Sequence, residues 1–387
     1  MNATKTALFL AGLIKITMKD IQLICNEEND YEKILNLSEK DLKIFFEENH
    51  TKTQAQILLE EWIYRKNNVD LEKEQDYLVN NNISLCAFWD EDYPQTLFDI
   101  PDYPFCLFYK GSLPLPEIPS VAIIGSRSCS EYGIHMAKEL GKAIANYGIN
   151  VISGMARGID GVSQRAALNA GGSSYGILGS GVDICYPKEN QPLYDELIKN
   201  GGVISEYYPK TQPLSINFPQ RNRIISGLSD ALVVVEARKK SGTSITVTMA
   251  LEQGKDIYAV PGRLTDNLSL GCNNLIKDGA GIILDPDEFA KSFLEQYALS
   301  HPKFKSEQRK SYLNTSRFSG GLTSIQRCIL RQLDFTPTGV DELLSKVNLA
   351  LLSKKLDQLS LSMLQFELLA LLASGKVQTS GNYYYLI

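Results

Sequence analysis

The chain has 387 residues, of which 44% are hydrophobic, and this length is typical of two or three domains with a sizeable core. Its formal net charge of −6 gives no overall signature of a nucleic-acid binder, so charge must be considered locally. The seven cysteines include no Cys-x-x-Cys pair and there are only three histidines, which argues against a zinc site. Scattered free cysteines are typical of a reducing cytoplasm.

Residues 1–80 are predicted to be an N-terminal helical domain of the SAM or helix-hairpin-helix type. Apolar clusters alternate there with charged faces, and the apolar run Ala7 to Ile16 is too short to span a membrane and is interrupted by Lys15. The pattern favours a small helical bundle. An independent DNA-binding module is the alternative.

A second domain is predicted over residues 81–300. Its first predicted element is a strand over Ile83 to Trp89. A proline-rich irregular segment follows, and then an edge strand over Phe105 to Tyr109. Val121 to Ile124 is a short apolar run ending in glycine, which predicts a buried strand, and a helix is predicted over Tyr132 to Tyr147.

This strand, loop and helix unit recurs along the chain. Further strands are predicted over residues 150–153, 174–178, 202–205, 231–236, 256–260 and 281–284. Helices are predicted between them over residues 160–170, 192–199, 218–228 and 241–254. The repetition predicts an α/β fold with a doubly wound, mostly parallel sheet.

Most of these strands end in glycine or small polar residues. Because the carboxyl ends of parallel strands share one edge, the loops are expected to line one groove, which suits a large nucleotide or a nucleic-acid backbone. Small residues let the backbone approach a phosphate, and the helix that follows the first loop favours an anion at its N-terminus. The predicted phosphate-binding residues are Gly125, Ser126, Arg127, Ser153, Gly154, Gly179, Gly181, Arg221, Asn222, Arg223, Ser241, Gly242 and Thr243.

Two side chains at these loops receive specific predictions. Phe218 stands beside Arg221 and Arg223, and a ring next to guanidinium groups can stack on unpaired bases. Packing of Phe218 into the core, with one arginine capping a helix, is the alternative. Asp160 is predicted to cap the helix that follows the second glycine loop.

The remaining chain divides into a linker and a third domain. Residues 301–320 are predicted to be a basic linker. Residues 321–387 carry three helical patterns and a terminal hairpin, with Lys376 to Thr379 pairing with Tyr383 to Ile387. This order predicts a winged-helix domain, with a helical protein-protein module as the alternative.

The central region resembles the DprA/Smf family of DNA-processing proteins. The motifs that carry the resemblance are Gly125-Ser126-Arg127, Ser153 to Asp160, Gly179-Ser180-Gly181, Tyr186-Pro187, Ser205 to Tyr207, Phe218 to Ile225, Glu236-Ala237, Ser241 to Thr243, Val260 to Gly262 and Gly271 to Asn273. The resemblance implies a Rossmann-like fold and a cytoplasmic protein that binds single-stranded DNA. It further implies protection of incoming strands during natural transformation, loading of RecA recombinase and a homodimer formed through this domain. It implies no chemical step, no cofactor, no metal and no membrane contact.

The chain departs from the family at Gln164 and in a C-terminal unit that is longer than usual between Val347 and Leu372. The family usually has histidine where this chain has Gln164, which weakens any acid-base role on that helix. Nucleoside-monophosphate hydrolases of related fold carry a catalytic glutamate where this chain has Thr246, and a hydroxyl cannot replace that carboxylate. A hydrolase or another nucleotide-binding protein is the alternative function. A winged-helix transcription regulator would need a basic recognition helix, whereas Leu356 to Leu372 is apolar.

Overall fold

The computed structural model describes residues 2–27, 34–100, 102–239, 241–301, 324–330, 332–333, 338–352, 359–373, 377–380 and 383–386. The chain divides into two compact units, residues 1–295 and residues 296–387. The predicted basic linker lies outside the described residues, apart from its first residue. Within the described ranges, no helix is both long and apolar enough to cross a bilayer.

Helices account for most of the described residues up to Asn80. The helices are α1 (Asn2–Ala11), α2 (Met18–Glu27), α3 (Glu39–Asn49), α4 (Lys52–Asn68) and α5 (Leu71–Asn80). Ser38, Thr51 and Asp70 precede α3, α4 and α5, and each accepts a backbone N–H of the first turn. These caps fix where the helices begin, because they satisfy amides that have no partner inside the helix.

The N-terminal helices are joined to the sheet region by buried polar contacts. The Arg65 guanidinium donates to two carbonyl oxygens of α1 at 2.7 and 3.0 Å and pairs with Glu74 at 2.8 Å. It also donates to the Tyr208 hydroxyl at 3.4 Å. The Tyr77 hydroxyl donates to the Asp183 carboxylate at 2.8 Å. Helices and sheet therefore form one packed unit.

Among the residues that the structure describes, nine strands form the main sheet. They are β1 (Ser84–Ala87), β2 (Cys106–Gly111), β3 (Ser120–Ile124), β4 (Asn150–Ser153), β5 (Ser174–Ile177), β6 (Gly201–Ser205), β7 (Ala231–Val234), β8 (Asp256–Ala259) and β9 (Gly281–Ile282). Their order is β1-β2-β6-β5-β4-β3-β7-β8-β9. The strands from β6 to β9 pair in parallel, so their carboxyl ends meet at one edge, as predicted for an α/β fold.

The prediction that Phe105 to Tyr109 forms an edge strand is wrong. The strand is β2, which pairs antiparallel with β1 on one side and with β6 on the other. Its Leu107 and Phe108 side chains are fully buried. The N-terminal helices pack against this region and bury it, which the local sequence does not reveal.

Helices follow most of the strands. They are α6 (Glu131–Asn146), α7 (Ile159–Asn169), α8 (Gln191–Lys199), α9 (Asn217–Gly227), α10 (Gly242–Glu252), α11 (Leu270–Lys277) and α12 (Pro286–Ser300). The central strands β3 and β7 are buried throughout, which explains their continuous apolar sequence. Ser130 caps α6 by accepting the Gly133 amide, so the loop before this helix is only six residues long.

The second unit contains α13 (Ser324–Leu330), α14 (Val340–Leu352), α15 (Leu361–Ala373) and a small sheet. Its strands β10 (Thr338–Gly339), β11 (Val377–Ser380) and β12 (Tyr383–Leu386) have the order β10-β12-β11. β11 and β12 pair antiparallel, which confirms the predicted hairpin over the described residues. Leu343, Val347, Leu364, Leu368 and Val377 belong to the core of this unit.

Candidate functional site

A cleft of about 660 Å³ opens at the carboxyl edge of the central strands. The loops after β3 and β7 and the first turns of α9 and α10 contribute most of its lining. This is the edge where sheets of this type bind ligands. Its polar and aromatic lining residues include Ser126, Arg127, Ser128, Asp160, Tyr186, Ser215, Phe218, Arg221, Asn222, Arg238, Ser241, Thr243 and Thr246.

The structure brings nine of the predicted site residues together in this cleft. They are Gly125, Ser126, Arg127, Phe218, Arg221, Asn222, Ser241, Gly242 and Thr243. Five other predicted residues are absent from its lining, namely Ser153, Gly154, Gly179, Gly181 and Arg223. Residues up to 118 positions apart in the sequence therefore meet, because the neighbouring strands β3 and β7 end side by side and α9 lies at the same edge of the sheet.

The N-terminus of α6 is already occupied by a carboxylate of the protein. The buried Glu236 side chain accepts the Ser130 amide at 2.9 Å and the Ser130 hydroxyl. A Cβ on Gly133 would lie 2.3 Å from Glu236 Oε2, so glycine is needed for this approach. The Ser126 amide is also used, since it donates to the Glu236 carbonyl at 2.8 Å. The expectation that α6 offers its N-terminus to a ligand anion is therefore wrong.

Glu236 is the residue whose role the sequence alone did not identify. It follows the buried run Leu232 to Val235 and is only 2% exposed. A carboxylate is almost never buried without polar partners, so an acid at the end of an apolar strand indicates that a local group needs it. That signal was present in the sequence, but it does not say which loop supplies the partner.

The N-terminus of α10 is open by contrast. Ser241 precedes the helix, yet its side chain accepts no bond from the first turn. The Ser241 hydroxyl is buried and has no partner among the described residues. A Cβ on Gly242 would meet nothing within 4 Å. Backbone amides at the start of this helix consequently face the cleft with no carboxylate of the described residues bound to them.

Arg127 is one of two exposed arginines that line the cleft, the other being Arg238. The Cζ atom of Arg127 lies 5.5 Å from the centroid of the Phe218 ring. Over the part of the chain that the structure describes, Arg127 has no carboxylate within 4 Å. A guanidinium held over an aromatic face keeps its donors available for an anion. The arrangement does not support an internal ion pair as the role of Arg127.

Phe218 is half-buried and lines the cleft, so it is not a core side chain. The Tyr186 ring centroid lies 5.5 Å away at an interplanar angle of 37°. A Cβ on Gly179 would lie 2.9 Å from Phe218 Cδ1. Gly179 therefore makes room for the ring, and its place behind Phe218 explains why it does not line the cleft.

Arg221 lies beneath the cleft and is only 3% exposed. Its Nη1 donates to the Gly154 carbonyl at 2.9 Å and to the Ile177 carbonyl, which ties the ends of β4 and β5 together. Burial lowers the pKa of Arg221 to about 10, although the nearby Asp160 opposes this shift. Its Nε atom is buried and has no partner among the described residues.

Asp160 does not cap α7 as predicted. The N-cap is Gly158, whose φ is 72°, and Asp160 lies in the first helical turn. Its Oδ2 accepts the Gly154 amide at 3.2 Å, so the carboxylate fixes the preceding glycine loop. Burial raises the pKa of Asp160, while Arg221 opposes this shift. Asp160 therefore has a structural role, but its carboxylate binds the glycine loop and not the end of the helix.

Three predicted phosphate ligands are engaged within the fold. Arg223 forms two 2.7 Å bonds to the carboxylate of Glu206 and a 3.1 Å contact to Asp102. The Ser153 hydroxyl is fully buried and donates to a carbonyl oxygen of β3 at 2.6 Å. The Gly181 amide donates to a loop carbonyl at 2.9 Å. The structure thus separates these groups from the cleft.

Gln164 also has a structural place. Its Oε1 accepts the Met155 amide at 3.0 Å, and its Nε2 donates to the Tyr175 carbonyl at 3.0 Å. Met155 has a φ of 52°, which is uncommon for a residue with a side chain. The Gln164 side-chain amide stabilises the turn at Met155, because it accepts one hydrogen bond and donates another. Neither bond requires a titratable group.

Comparison with known proteins places the cleft in a family. The family model described as DNA recombination-mediator protein A matches residues 84–294. DNA processing protein DprA from Streptococcus pneumoniae is 42% identical over 204 residues, which are 53% of this chain and 72% of that protein. Protein Smf from Escherichia coli is 39% identical over 223 residues, which are 57% of this chain and 60% of that protein.

Solved structures agree with this match. The X-ray structure of DprA from Streptococcus pneumoniae has a TM-score of 0.62 and 32% identity, and it covers 78% of this chain and 98% of that one. DNA processing protein A from Helicobacter pylori, whose structure concerns its single-stranded DNA binding mode, has a TM-score of 0.51 and 29% identity. It covers 55% of this chain and 96% of that one.

Proposed function

The chain belongs to the DprA/Smf family of DNA-processing proteins, and on that premise we propose that its cleft binds single-stranded DNA during natural transformation. The bound strand would be protected and handed to RecA recombinase for recombination. The observation that carries this proposal is the pairing of an exposed guanidinium, Arg127, with an aromatic ring, Phe218, beside the open N-terminus of α10.

Each of these groups suits a different part of a nucleotide. A base can stack on the half-buried Phe218 ring, which needs no particular base because every base has a π-face. A phosphate can accept from the amides at the start of α10 and from the Arg127 fork. The buried charge of Arg221 adds a positive potential below. Contacts of this kind position a backbone and carry little sequence information.

No chemical step is part of the proposal. Asp160 is the one carboxylate among the described residues that line the cleft, and it accepts the Gly154 amide. Thr246 is 3% exposed and occupies the position at which related hydrolases carry their glutamate. A base-releasing hydrolase would lack its carboxylate here, so the geometry favours binding without catalysis.

The wider proposal rests on the family. We take the protein to be cytoplasmic, to act without a cofactor and to form a homodimer through its Rossmann-like domain. The helices up to residue 80 would be an N-terminal domain that packs against the Rossmann-like domain within one unit. The second unit, with α13, α14, α15 and the β10-β12-β11 sheet, has the element order of a winged helix.

The decisive experiment measures binding of the full chain to single-stranded and duplex oligonucleotides over a series of salt concentrations. We expect tighter binding of single strands, little sequence preference and a log-log salt slope of about −0.7 for each phosphate contacted. Equal or tighter binding of duplex DNA would contradict the proposal.

A further inference from the structure

A second concavity lies between the solvent-exposed sides of α6 and α7. It has a volume of about 460 Å³, and its basic lining residues are Lys138, Lys142 and Arg165. The two helices approach closely, since a Cβ on Gly141 would lie 2.3 Å from the Ser163 carbonyl oxygen. Lys138 and Lys142 are four residues apart and therefore share one face of α6.

The charges of this basic groove, defined by Lys138, Lys142 and Arg165, are not neutralised by ion pairs. Over the described ranges, none of the three has a carboxylate within 4 Å, whereas Arg157 on the adjoining loop pairs with Glu189. Glu139 is the one acidic residue among those that line the groove, which leaves an excess of two positive charges over the described lining. Such a surface attracts an anion with several charges.

The basic groove begins where the cleft ends. Ala156 lines both of them, so the loop between β4 and α7 is a common wall. Gly158, also in the groove lining, packs against the first loop so closely that a Cβ there would lie 2.3 Å from the Ser126 carbonyl oxygen. A strand leaving the cleft past Ala156 therefore enters the basic groove directly.

We propose that the basic groove continues the path of single-stranded DNA beyond the cleft and holds further phosphates of the same strand. This inference rests on the proposed function. Gly161, Ala166 and Ala170 are small residues in its lining, which suits a passing backbone. An acidic protein segment is less suited, because protein interfaces are centred on large aromatic or arginine anchors that fill pockets.

The test uses the full chain with labelled oligothymidylates of two lengths. One of about five nucleotides fills the cleft alone, and one of about twenty can reach the groove. The variant carries Lys138→Gln, Lys142→Gln and Arg165→Gln. The matched control carries Lys52→Gln, Lys199→Gln and Lys291→Gln, which remove the same charge at exposed positions that line neither concavity.

We expect the groove variant to bind the long oligonucleotide about tenfold more weakly, with a salt slope about two units shallower, since three phosphate contacts at about 0.7 each are lost. Binding of the short oligonucleotide and the melting temperature should match the control. Unchanged affinity and slope for the long oligonucleotide would overturn the inference, and so would equal losses at both lengths. If the unmodified chain bound neither oligonucleotide, the proposed function itself would fail.

Discussion

Helices α6 and α10 both follow a central parallel strand and both begin beside the cleft, yet their N-termini differ. The buried carboxylate of Glu236 lies at the start of α6, where it accepts the amide and the hydroxyl of the N-cap residue Ser130. Helix α10 has no side-chain cap, and the hydroxyl of its Ser241 is buried without a partner among the described residues. The N-terminus of α6 is therefore bound within the protein, whereas the N-terminus of α10 is available to a ligand.

The difference shows how a common fold can move its anion site. A carboxylate at a helix N-terminus satisfies the same amides and the same dipole that would otherwise bind a phosphate. Glu236 follows β7, α6 follows β3, and these two strands are neighbours in the sheet. A residue at the end of β7 therefore occupies the N-terminus of the helix that follows β3. The loop after β7 leads to α10, whose N-terminus is the open one. Substitutions at four sites, Glu236, Arg127, Ser241 and Asp160, test this comparison.

Removal of the carboxylate should have the largest effect. Glu236→Ala leaves the Ser130 amide and hydroxyl without their acceptor in a buried place, and we expect a loss of about 3 kcal/mol in the free energy of unfolding. Urea unfolding followed by circular dichroism measures it. Glu236→Gln keeps an acceptor oxygen and should lose less than half as much. An Ala variant as stable as the unmodified chain would show that Glu236 does not close α6.

The carboxylate of Glu236 occupies the N-terminus of α6. Arg127→Ala therefore tests whether the loop after β3 contributes to DNA binding through the Arg127 side chain. We expect a loss of about 2 kcal/mol in the free energy of single-strand binding and a salt slope shallower by about 0.7. Arg127→Lys should restore the slope but only part of the affinity, because an ammonium cannot bind two oxygens as a guanidinium does.

The control for Arg127 is Arg223→Gln, since Arg223 is paired with Glu206. That variant should lose stability without a change in salt slope. Titrations and thermal melts on the three proteins would decide. A large fall in melting temperature with an unaltered slope for Arg127→Ala would contradict its placement in the site.

A carboxylate introduced at α10 should make this helix resemble α6. Ser241→Asp supplies an N-cap acceptor, so we expect unchanged or slightly higher stability. Single-strand affinity should fall about tenfold, or about 1.4 kcal/mol, because the new charge occupies the amides and repels phosphate. Ser241→Asn caps without charge and is the matched control. Equal affinity of the Asp and Asn variants would locate the phosphate elsewhere.

The smallest effect is expected at Asp160. Its Oδ2 accepts the Gly154 amide, and asparagine offers a carbonyl oxygen of similar reach. Asp160→Asn should retain most single-strand affinity, with a change of less than about 1 kcal/mol in the free energy of unfolding. Binding isotherms of this variant and of the unmodified chain with single-stranded DNA, at one salt concentration, measure the change in affinity. Complete loss of binding by a folded variant would reveal a direct role in the site.

Much of the fold could be predicted from local patterns. Residues 150–153 were predicted to be a strand and are β4, and residues 231–236 contain β7. Short β-branched apolar runs that are flanked by glycine turns indicate buried strands, so their length and their flanking residues predict them. The motifs between Gly125 and Asn273 occur in a fixed order and indicated the family, and the family model that matches residues 84–294 confirms it.

The tertiary structure alone decided which predicted groups are available to a ligand. Glu236 lies 106 residues from the Ser130 cap that it completes, and Arg221 lies 67 residues from the Gly154 carbonyl that it binds. Whether a glycine loop, an arginine or a helix start is free depends on such distant partners. Local sequence specifies the donors and acceptors, but only packing specifies which of them the protein itself has satisfied.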